Sequence, residues 1–233
     1  MKTIHLTNAW HASSGGIATH YRSLLNEAER TGQQLAMVVP GAEDGVERKG
    51  STRIHSVKAV VSPFNSAYRS IMPNAWPGVS RRVVEILLED QPDLIEICDK
   101  YSLHYLAGLI RKEYLKGFAK RPVLIGLSCE RMDDNLGVYL TRSPVGKAFA
   151  RWYMKWVYFG FFDHHIVNSE HVAMELREAS RGHVRERGIY VRPPGSRSLD
   201  VRRLNPTSDW AARWPPRSFV RRPGWHGRRT SRC

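Results

Sequence analysis

The stretch from Thr3 to Ala28 reads TIHLTNAWHASSGGIATHYRSLLNEA. Its first five residues have the apolar and β-branched character of a short buried strand, and two adjacent glycines follow after a polar segment. From Ile17 onward, apolar residues recur at the spacing of a helix with one apolar face. The stretch therefore predicts a strand, a glycine turn and an amphipathic helix.

The same alternation continues along most of the chain. The predicted strands are Thr3–Thr7, Leu35–Val39, Arg53–Lys58, Leu94–Cys98, Val123–Leu127, His164–Val167 and Ile189–Arg192. Predicted helices follow most of them, at residues 17–28, 79–88, 103–115, 144–161 and 170–179, the last with Ser169 as its N-cap. This order predicts an α/β fold, a doubly wound parallel sheet (Rossmann-like) with helices on both faces, in one domain over residues 1–195.

Composition excludes several classes of protein. The chain has 233 residues, of which 42% are hydrophobic and 25% charged, as in ordinary globular domains and unlike disordered or coiled-coil chains. No run of eighteen apolar residues occurs, and the first residues are too polar for a signal peptide. We therefore expect a cytoplasmic protein.

The last 38 residues differ from the rest of the chain. Residues 196–233 contain ten arginines against two aspartates, a net charge of +8 within a total of +14. Few large apolar residues and no helix or strand period occur there, so we expect no core. An out-of-frame segment, a disordered basic tail and a nucleic-acid-binding tail all remain open. The Arg/Pro/Trp bias favours the first, and nucleic acid is the least favoured partner.

Polar residues follow the predicted strands, where an open α/β sheet binds its ligands. Gly15 and Gly16 precede the first helix, whose free N–H groups would favour a phosphate. They do not form the G-x-G-x-x-G fingerprint, and the second strand ends without an acidic residue for a ribose, which argues against a dehydrogenase. The alternative interpretation is a tight turn.

Carboxylates follow two later strands. Asp99 comes after Leu94–Cys98, and the segment 128–134 after the fifth strand contains Glu130 and Asp133. Such groups can orient hydroxyls or transfer protons, although a solvated loop explains the same spacing. His104 could also reach this edge of the sheet, although an ordinary polar contact is the favoured alternative.

A basic, aromatic helix is predicted further on. Lys147, Arg151 and Lys155 recur every four residues and so lie along one side of it. This arrangement suits an anionic membrane surface or a phosphate-bearing acceptor, and equally a core helix with a solvated basic side. His164 and His165 are adjacent on a predicted strand and would point to opposite faces, so we expect no metal site.

Four motifs in order resemble the amino-terminal half of glycosyltransferase subfamily 4. They are Gly15-Gly16-Ile17 before a helix, Pro92–Ile97 leading into Asp99–Tyr105, Asp163–Ser169, and Ile189–Gly195. The resemblance covers about residues 1–195. It implies the first half of a GT-B architecture, in which this Rossmann-like domain mostly binds the acceptor and a second domain holds most of the nucleotide-sugar.

The resemblance also implies an activity. Members transfer a sugar from a nucleotide-sugar donor to a lipid, glycan or other acceptor, typically with retention and without a bound metal or other cofactor. It assigns donor-phosphate binding to Gly15 and Gly16. Many members have a histidine where this chain has Ser128-Cys129-Glu130, so Glu130 and Asp133 become catalytic candidates by position.

The acceptor side would include Asp99, His104, Lys147 and Arg151, with the loop Val60–Gly78 selecting the acceptor. The resemblance places the enzyme in the cytoplasm or at the inner face of the membrane, with peripheral membrane contact. A second domain of about 150 residues would be expected after Gly195, so we expect a truncated chain that is inactive alone. The alternative function is a non-catalytic binding module whose basic tail contacts anionic surfaces.

Overall fold

The computed structural model describes residues 1–11, 15–61, 68–72, 81–139, 144–181 and 188–192, with the backbone alone for residues 136–139. All of these residues belong to one compact unit, Met1–Ser196. The arginine-rich segment 196–233 and most of the loop predicted at Val60–Gly78 lie outside the described residues.

Eight of the described strands form one sheet in the order β10-β9-β8-β7-β1-β2-β4-β3. Neighbouring strands are parallel except β3, which pairs antiparallel with β4 at one edge. The strands are β1 (Lys2–Thr7), β2 (Gln34–Gly41), β3 (Gly45–Lys49), β4 (Thr52–Lys58), β7 (Leu94–Cys98), β8 (Val123–Ser128), β9 (His164–Val167) and β10 (Ile189–Val191). A separate two-stranded pairing joins β5 (Val60–Val61) to β6 (Arg69–Ser70).

Helices connect most of the parallel strands. The described α-helices are α1 (Gly15–Thr31), α2 (Arg81–Asp90), α3 (His104–Arg111), α4 (Met132–Tyr139), α5 (Pro144–Tyr153) and α6 (Glu170–Ser180). The helix that begins as α5 continues as a π-helical turn at Met154–Tyr158 and a 3₁₀ turn at Phe159–Phe161. None of the described helices combines the length and apolar character needed to cross a membrane.

The central strands are covered on both faces, which explains their continuous apolar runs. Successive residues of β1 and β7 point to opposite faces, so that Ile4 and Ile95 belong to a large apolar core while His5 and Glu96 face the other way. Helices α2 to α6 bury side chains in that large core, and α1 packs on the opposite face. The expected doubly wound α/β sheet is therefore confirmed.

The seven predicted strands are present, with ends that differ by a few residues. The edge strand β3 was not predicted, because its residues are all exposed and carry no apolar alternation. Helix α4 was also missed, since residues 128–134 were interpreted as a loop. Its first turn contains Asp133 and Asp134, and acidic side chains are favourable at that end of a helix. Ser169 is the N-cap of α6, as predicted: its hydroxyl accepts a hydrogen bond from the Val172 N–H at 3.4 Å.

Candidate functional site

The side on which successive strands are added to the sheet changes between β1 and β7. Strands β2 and β4 extend the sheet on one side of β1, whereas β7 to β10 extend it on the other. β1 and β7 are adjacent and parallel, with Thr7 opposite Cys98. The segments that follow these two residues therefore border the crevice in which open α/β sheets bind ligands.

Asn8 joins the three segments that form the floor of this crevice. Its amide nitrogen donates to the Asp99 carboxylate at 3.0 Å and to the Ser102 hydroxyl at 2.9 Å. Its amide oxygen accepts from the backbone N–H of Ile71 at 2.8 Å. Every polar atom of the Asn8 side chain is thus used in holding the floor together.

The carboxylate of Asp99 is also engaged within the protein. One oxygen accepts backbone N–H bonds from Tyr101, Ser102 and Leu103 at 2.6 to 3.0 Å. These donors lie just before α3 and would otherwise lack partners. Asp99 therefore orders the start of α3 and offers an acceptor little of its bonding capacity.

A buried ion pair beneath the crevice fixes the segment that follows β8. The Lys100 ammonium lies 3.2 Å from the Glu175 carboxylate, and both side chains are over nine-tenths buried. Lys100 also donates to the Glu130 carbonyl, and Glu175 accepts from the Met132 N–H at 2.7 Å. Because a broken buried pair leaves an unpaired charge, this pair constrains residues 130–133 strongly.

Glu130 and Asp133 lie in the same segment but in different environments. Glu130 is exposed, and its carboxylate accepts one hydrogen bond, from Asn135 at 2.7 Å. Asp133 forms two hydrogen bonds with Arg131, at 2.9 and 2.7 Å. Hydrogen bonding to Arg131 outweighs burial and lowers the pKa of Asp133. Asp133 therefore stays ionised and is poorly suited to donate a proton, whereas Glu130 keeps capacity for a ligand.

His104 does not reach the crevice, which corrects its expected role as an acceptor contact. Its side chain has no exposed surface, and its ring nitrogen lies 2.8 Å from the Tyr153 hydroxyl. Burial lowers the pKa of His104 to about 3, so the ring is neutral. Tyr153 in turn donates to the Lys100 carbonyl at 2.7 Å. His104 therefore acts on the site indirectly, by positioning Tyr153.

Lys147 and Arg151 are exposed on α5, as a solvated basic side requires. Arg151 lines a cavity of about 200 Å³ between α5 and α6. The other residues around this cavity are Arg131, Asp133, Met154, Lys155, Glu175, Glu178 and Ala179. Lys147 is not part of its lining.

Gly15 and Gly16 differ in what the fold requires of them. Gly15 has a φ of +51°, a conformation that favours glycine. Gly16 has no such restriction, and a Cβ built on either glycine would have no heavy atom of the described residues within 4 Å. Packing against the residues that the structure describes therefore does not explain the glycine at position 16.

His164 and His165 point to opposite faces, as predicted. His165 is buried and lies 3.1 Å from the Phe159 carbonyl oxygen, whereas His164 is half-buried. In the part of the chain that the structure describes, no three metal-ligating side chains come together.

Asn8, Lys100 and Glu175 are the site residues that the sequence analysis missed. Asn8 directly follows β1, and Lys100 is the second residue after β7. Their positions at strand ends were therefore an available signal. Glu175 lies 75 residues from Lys100 in sequence, and its pattern is that of an ordinary helix residue.

Comparisons with known proteins agree with this architecture. The model of the family described as Glycosyltransferase Family 4 matches residues 14–195. Two Mycobacterium tuberculosis proteins, from strains ATCC 25177 / H37Ra and CDC 1551 / Oshkosh, are each 30% identical over 149 residues. Both are named GDP-mannose-dependent alpha-(1-6)-phosphatidylinositol dimannoside mannosyltransferase. The match covers 63% of this chain but 35% of each relative, so the chain spans about a third of their length.

Among solved structures, the alpha,alpha-trehalose 6-phosphate synthase of Burkholderia multivorans is similar with a TM-score of 0.42 and 16% identity. That similarity covers 80% of this chain and 45% of the synthase.

Proposed function

The chain belongs to glycosyltransferase family 4, and from that premise we propose that it is the acceptor-type domain of an enzyme that transfers a sugar. The donor is a nucleotide-sugar and the acceptor is a lipid or glycan. The M. tuberculosis relatives are named for GDP-mannose and a phosphatidylinositol mannoside, which favours a GDP-linked hexose as donor and a lipid-linked sugar as acceptor. The cytoplasm or the inner face of a membrane is the proposed location.

The lack of packing contacts around Gly16 among the described residues is the observation that carries the donor assignment. The first amide groups of α1 have no partners within the helix and carry partial positive charge. They follow β1, whose carboxyl end borders the crevice. Because no packing contact with a described residue requires a glycine at position 16, its role is best explained by close approach of a diphosphate to the backbone.

Chemically, transfer breaks the bond between the anomeric carbon and the diphosphate oxygen and forms a bond from that carbon to an acceptor hydroxyl oxygen. The nucleoside diphosphate leaves with the bonding electrons, and the hydroxyl proton is released. The family resemblance implies that the anomeric configuration is retained. Helix α1 would stabilise the charge that develops on the departing diphosphate.

The carboxylates have separate roles in this proposal. Glu130, exposed and accepting one hydrogen bond, would orient an acceptor hydroxyl. Asp99 would position α3 and Asn8 rather than contact substrate. Arg151, which lines the cavity between α5 and α6, and the exposed Lys147 would attract an anionic acceptor.

Replacing Gly16 by Asp tests the donor site. A carboxylate there would face the diphosphate and occupy the space that it needs, so we expect GDP-mannose binding to weaken about tenfold or more, equivalent to about 1.4 kcal/mol. Gly160→Asp is the matched control, since Gly160 also has open space at its Cβ but lies in the 3₁₀ turn. Isothermal titration of the full chain measures both variants. Equal weakening by both substitutions, or none by Gly16→Asp, would contradict the assignment.

The charge of residues 196–233 motivates the alternative, a non-catalytic binding module. A segment with a net charge of +8 would attach the domain to an anionic surface. Retained binding to anionic surfaces together with no detectable nucleotide-sugar binding by the wild-type chain would favour this module over the transferase.

A further inference from the structure

Tyr101 presents an aromatic ring at the edge of the crevice. It lies in the segment between β7 and α3, and the end of β7 borders the crevice. Tyr101 is 50% exposed, whereas its neighbours Lys100 and Ser102 are buried. The segment therefore turns its buried polar residues inward and leaves the aromatic residue accessible from the crevice side of the sheet.

Two hydrogen bonds hold Tyr101 in place. Its backbone N–H donates to the Asp99 carboxylate at 3.0 Å, and its hydroxyl accepts from the amide nitrogen of Asn135 at 3.0 Å. Because Asn135 belongs to α4, the Tyr101 side chain extends from the segment after β7 to the helix that follows β8. Its orientation is thus fixed before a ligand arrives, so a ligand that packs against the ring immobilises little else.

The Glu130 carboxylate lies beside this ring. The amide nitrogen of Asn135 that bonds the Tyr101 hydroxyl also donates to Glu130, at 2.7 Å. Burial and the negative charges of Glu130 and Asp99 outweigh the bond from Asn135 and raise the pKa of Tyr101. The Tyr101 ring is therefore neutral at physiological pH, and an uncharged aromatic surface and a carboxylate meet at one edge of the crevice.

A sugar ring matches this pair of groups. A pyranose has hydroxyls around its rim and C–H groups on its faces, and these C–H groups are apolar with a small positive partial charge. The face of an aromatic ring is apolar and negative, so the two surfaces stack. A neighbouring carboxylate accepts hydrogen bonds from the rim hydroxyls. A fatty-acyl chain would leave the carboxylate without a partner, and a phosphate would be repelled by it.

We propose that Tyr101 is the platform on which the sugar ring of the acceptor stacks, and that it selects a glycoside as acceptor. This role rests on the proposed sugar transfer and deepens it. The C–H face of the acceptor sugar lies against the Tyr101 ring, while Glu130 accepts a hydrogen bond from one of its hydroxyls. Asn135 acts through these two side chains, by holding them at a fixed separation.

Saturation-transfer difference NMR of the full chain with methyl α-D-mannopyranoside tests the proposal. We expect Tyr101→Ala to weaken binding about tenfold, because an aromatic anchor at the centre of a binding site is lost. Tyr101→Phe keeps the ring and should bind nearly as well as the wild type. Tyr101→Leu keeps apolar bulk without an aromatic face and should resemble Tyr101→Ala.

Tyr114→Ala is the matched control. Tyr114 is 75% exposed and follows the end of α3, whereas Tyr101 precedes its start. The substitution removes an exposed tyrosine of the same kind, so mannoside binding should not change. Far-ultraviolet circular dichroism confirms that each variant is folded.

Titration of the same variants with GDP-mannose separates this role from the proposed function. Tyr101→Ala should leave GDP-mannose binding unchanged, and an equal loss of both ligands would place Tyr101 on the donor side instead. Equal mannoside binding by the wild type, Tyr101→Ala and Tyr101→Leu would overturn the stacking role, as would the absence of mannoside binding in a wild type that binds GDP-mannose. A wild type that binds neither ligand would contradict the sugar transfer itself.

Discussion

The two faces of the sheet are held by different kinds of interaction. Among the described residues, the face under α2 to α6 contains a core of 29 buried residues, against eight in the cluster under α1. Under α1 the central contact is polar: Glu96 lies 2.9 Å from His5 and 3.1 Å from the Tyr21 hydroxyl, and all three side chains are buried. The first face also contains the buried Lys100–Glu175 pair but is mainly apolar, whereas the hydrogen bonds of Glu96 set the position of α1.

This difference bears on the candidate site. Helix α1 begins with the glycine pair proposed to face the donor, and Tyr21 lies between one and two turns further along the same helix. A hydrogen-bonded anchor fixes the rotation of a helix more closely than apolar contact, which is non-directional. The polar face would therefore orient the proposed donor site, and the apolar face would support the sheet beneath it.

The two faces should differ most in the free energy of unfolding that is lost when a substitution by alanine creates a cavity. Phe162 is 2% exposed within the large core, so Phe162→Ala should lower the free energy of unfolding by about 4 kcal/mol. Leu25 lies on the buried side of α1 and lines a surface pocket of about 260 Å³ with Trp10 and Arg22, so Leu25→Ala should cost about 2 kcal/mol. Urea unfolding measures both. Equal costs would mean that the two faces are equally well packed.

Lowering the pH should destabilise the two faces in different pH ranges. Burial lowers the pKa of His104 to about 3 and that of His165 to about 4, and both lie on the α2–α6 face. These two histidines stay neutral in the folded protein at pH 5 and above. In the unfolded chain the same two side chains bind protons below about pH 6.5. The free energy of unfolding should therefore fall by about 4 kcal/mol between pH 7 and pH 5, since each histidine contributes about 1.4 kcal/mol per pH unit below its unfolded pKa of 6.5.

The α1 face responds at lower pH. Burial alone would raise the pKa of Glu96, but the charge and hydrogen bond of His5 and the Tyr21 hydroxyl outweigh it and lower that pKa. The contribution of Glu96 to the free energy of unfolding is present above the ordinary pKa of 4.5 and is lost as pH falls through the lower folded value.

Urea unfolding at pH 7, 6 and 5 checks the prediction for the two histidines, and His104→Gln should remove about half of the decrease in the free energy of unfolding. A free energy of unfolding that is constant from pH 7 to pH 5 would refute it.

The smallest expected effect is that of Glu96→Gln. The substitution keeps the size of the side chain but removes the charge that faces His5, so we expect a loss of about 2 kcal/mol in the free energy of unfolding. If this face aims the donor site, the substitution should also weaken GDP-mannose binding by more than Phe162→Ala does, measured where both variants are folded. The reverse order would contradict the division of roles between the faces.

The sheet could be predicted because its central strands are buried on both sides. Runs such as Leu35–Val39 and Val123–Leu127 are apolar almost without interruption, and Pro40-Gly41 marks a turn after the first of them. The exposed strand β3 has no such pattern, so only its pairing with β4 identifies it.

The π-helical turn shows a different limit of the sequence. Apolar spacing predicted one helix from Pro144 to Phe161, but the turn at Met154–Tyr158 widens. Tyr158 is held by contacts from distant parts of the chain: its hydroxyl lies 3.1 Å from that of Ser128, and the Lys100 ammonium lies 5.9 Å from its ring centroid. Local periodicity contains no information about either contact.

The site was predicted in part for a related reason. Strand ends locate the carboxylates of Asp99, Glu130 and Asp133 correctly at one edge of the sheet. The residue type does not reveal whether a carboxylate faces solvent, backbone N–H groups or an arginine. Glu130 faces solvent, Asp99 accepts hydrogen bonds from backbone N–H groups, and Asp133 binds Arg131. Their chemical roles differ accordingly.

The hydrogen bonds of Asn8 also determine when the crevice can form. They join residues separated by 91, 94 and 63 positions in the chain. Contacts between such distant residues are made late in folding, because loop closure opposes them until the intervening strands are in place. During synthesis, the floor of the crevice is therefore completed only after Ser102 has left the ribosome, whereas the helix that begins at Gly15 can form long before.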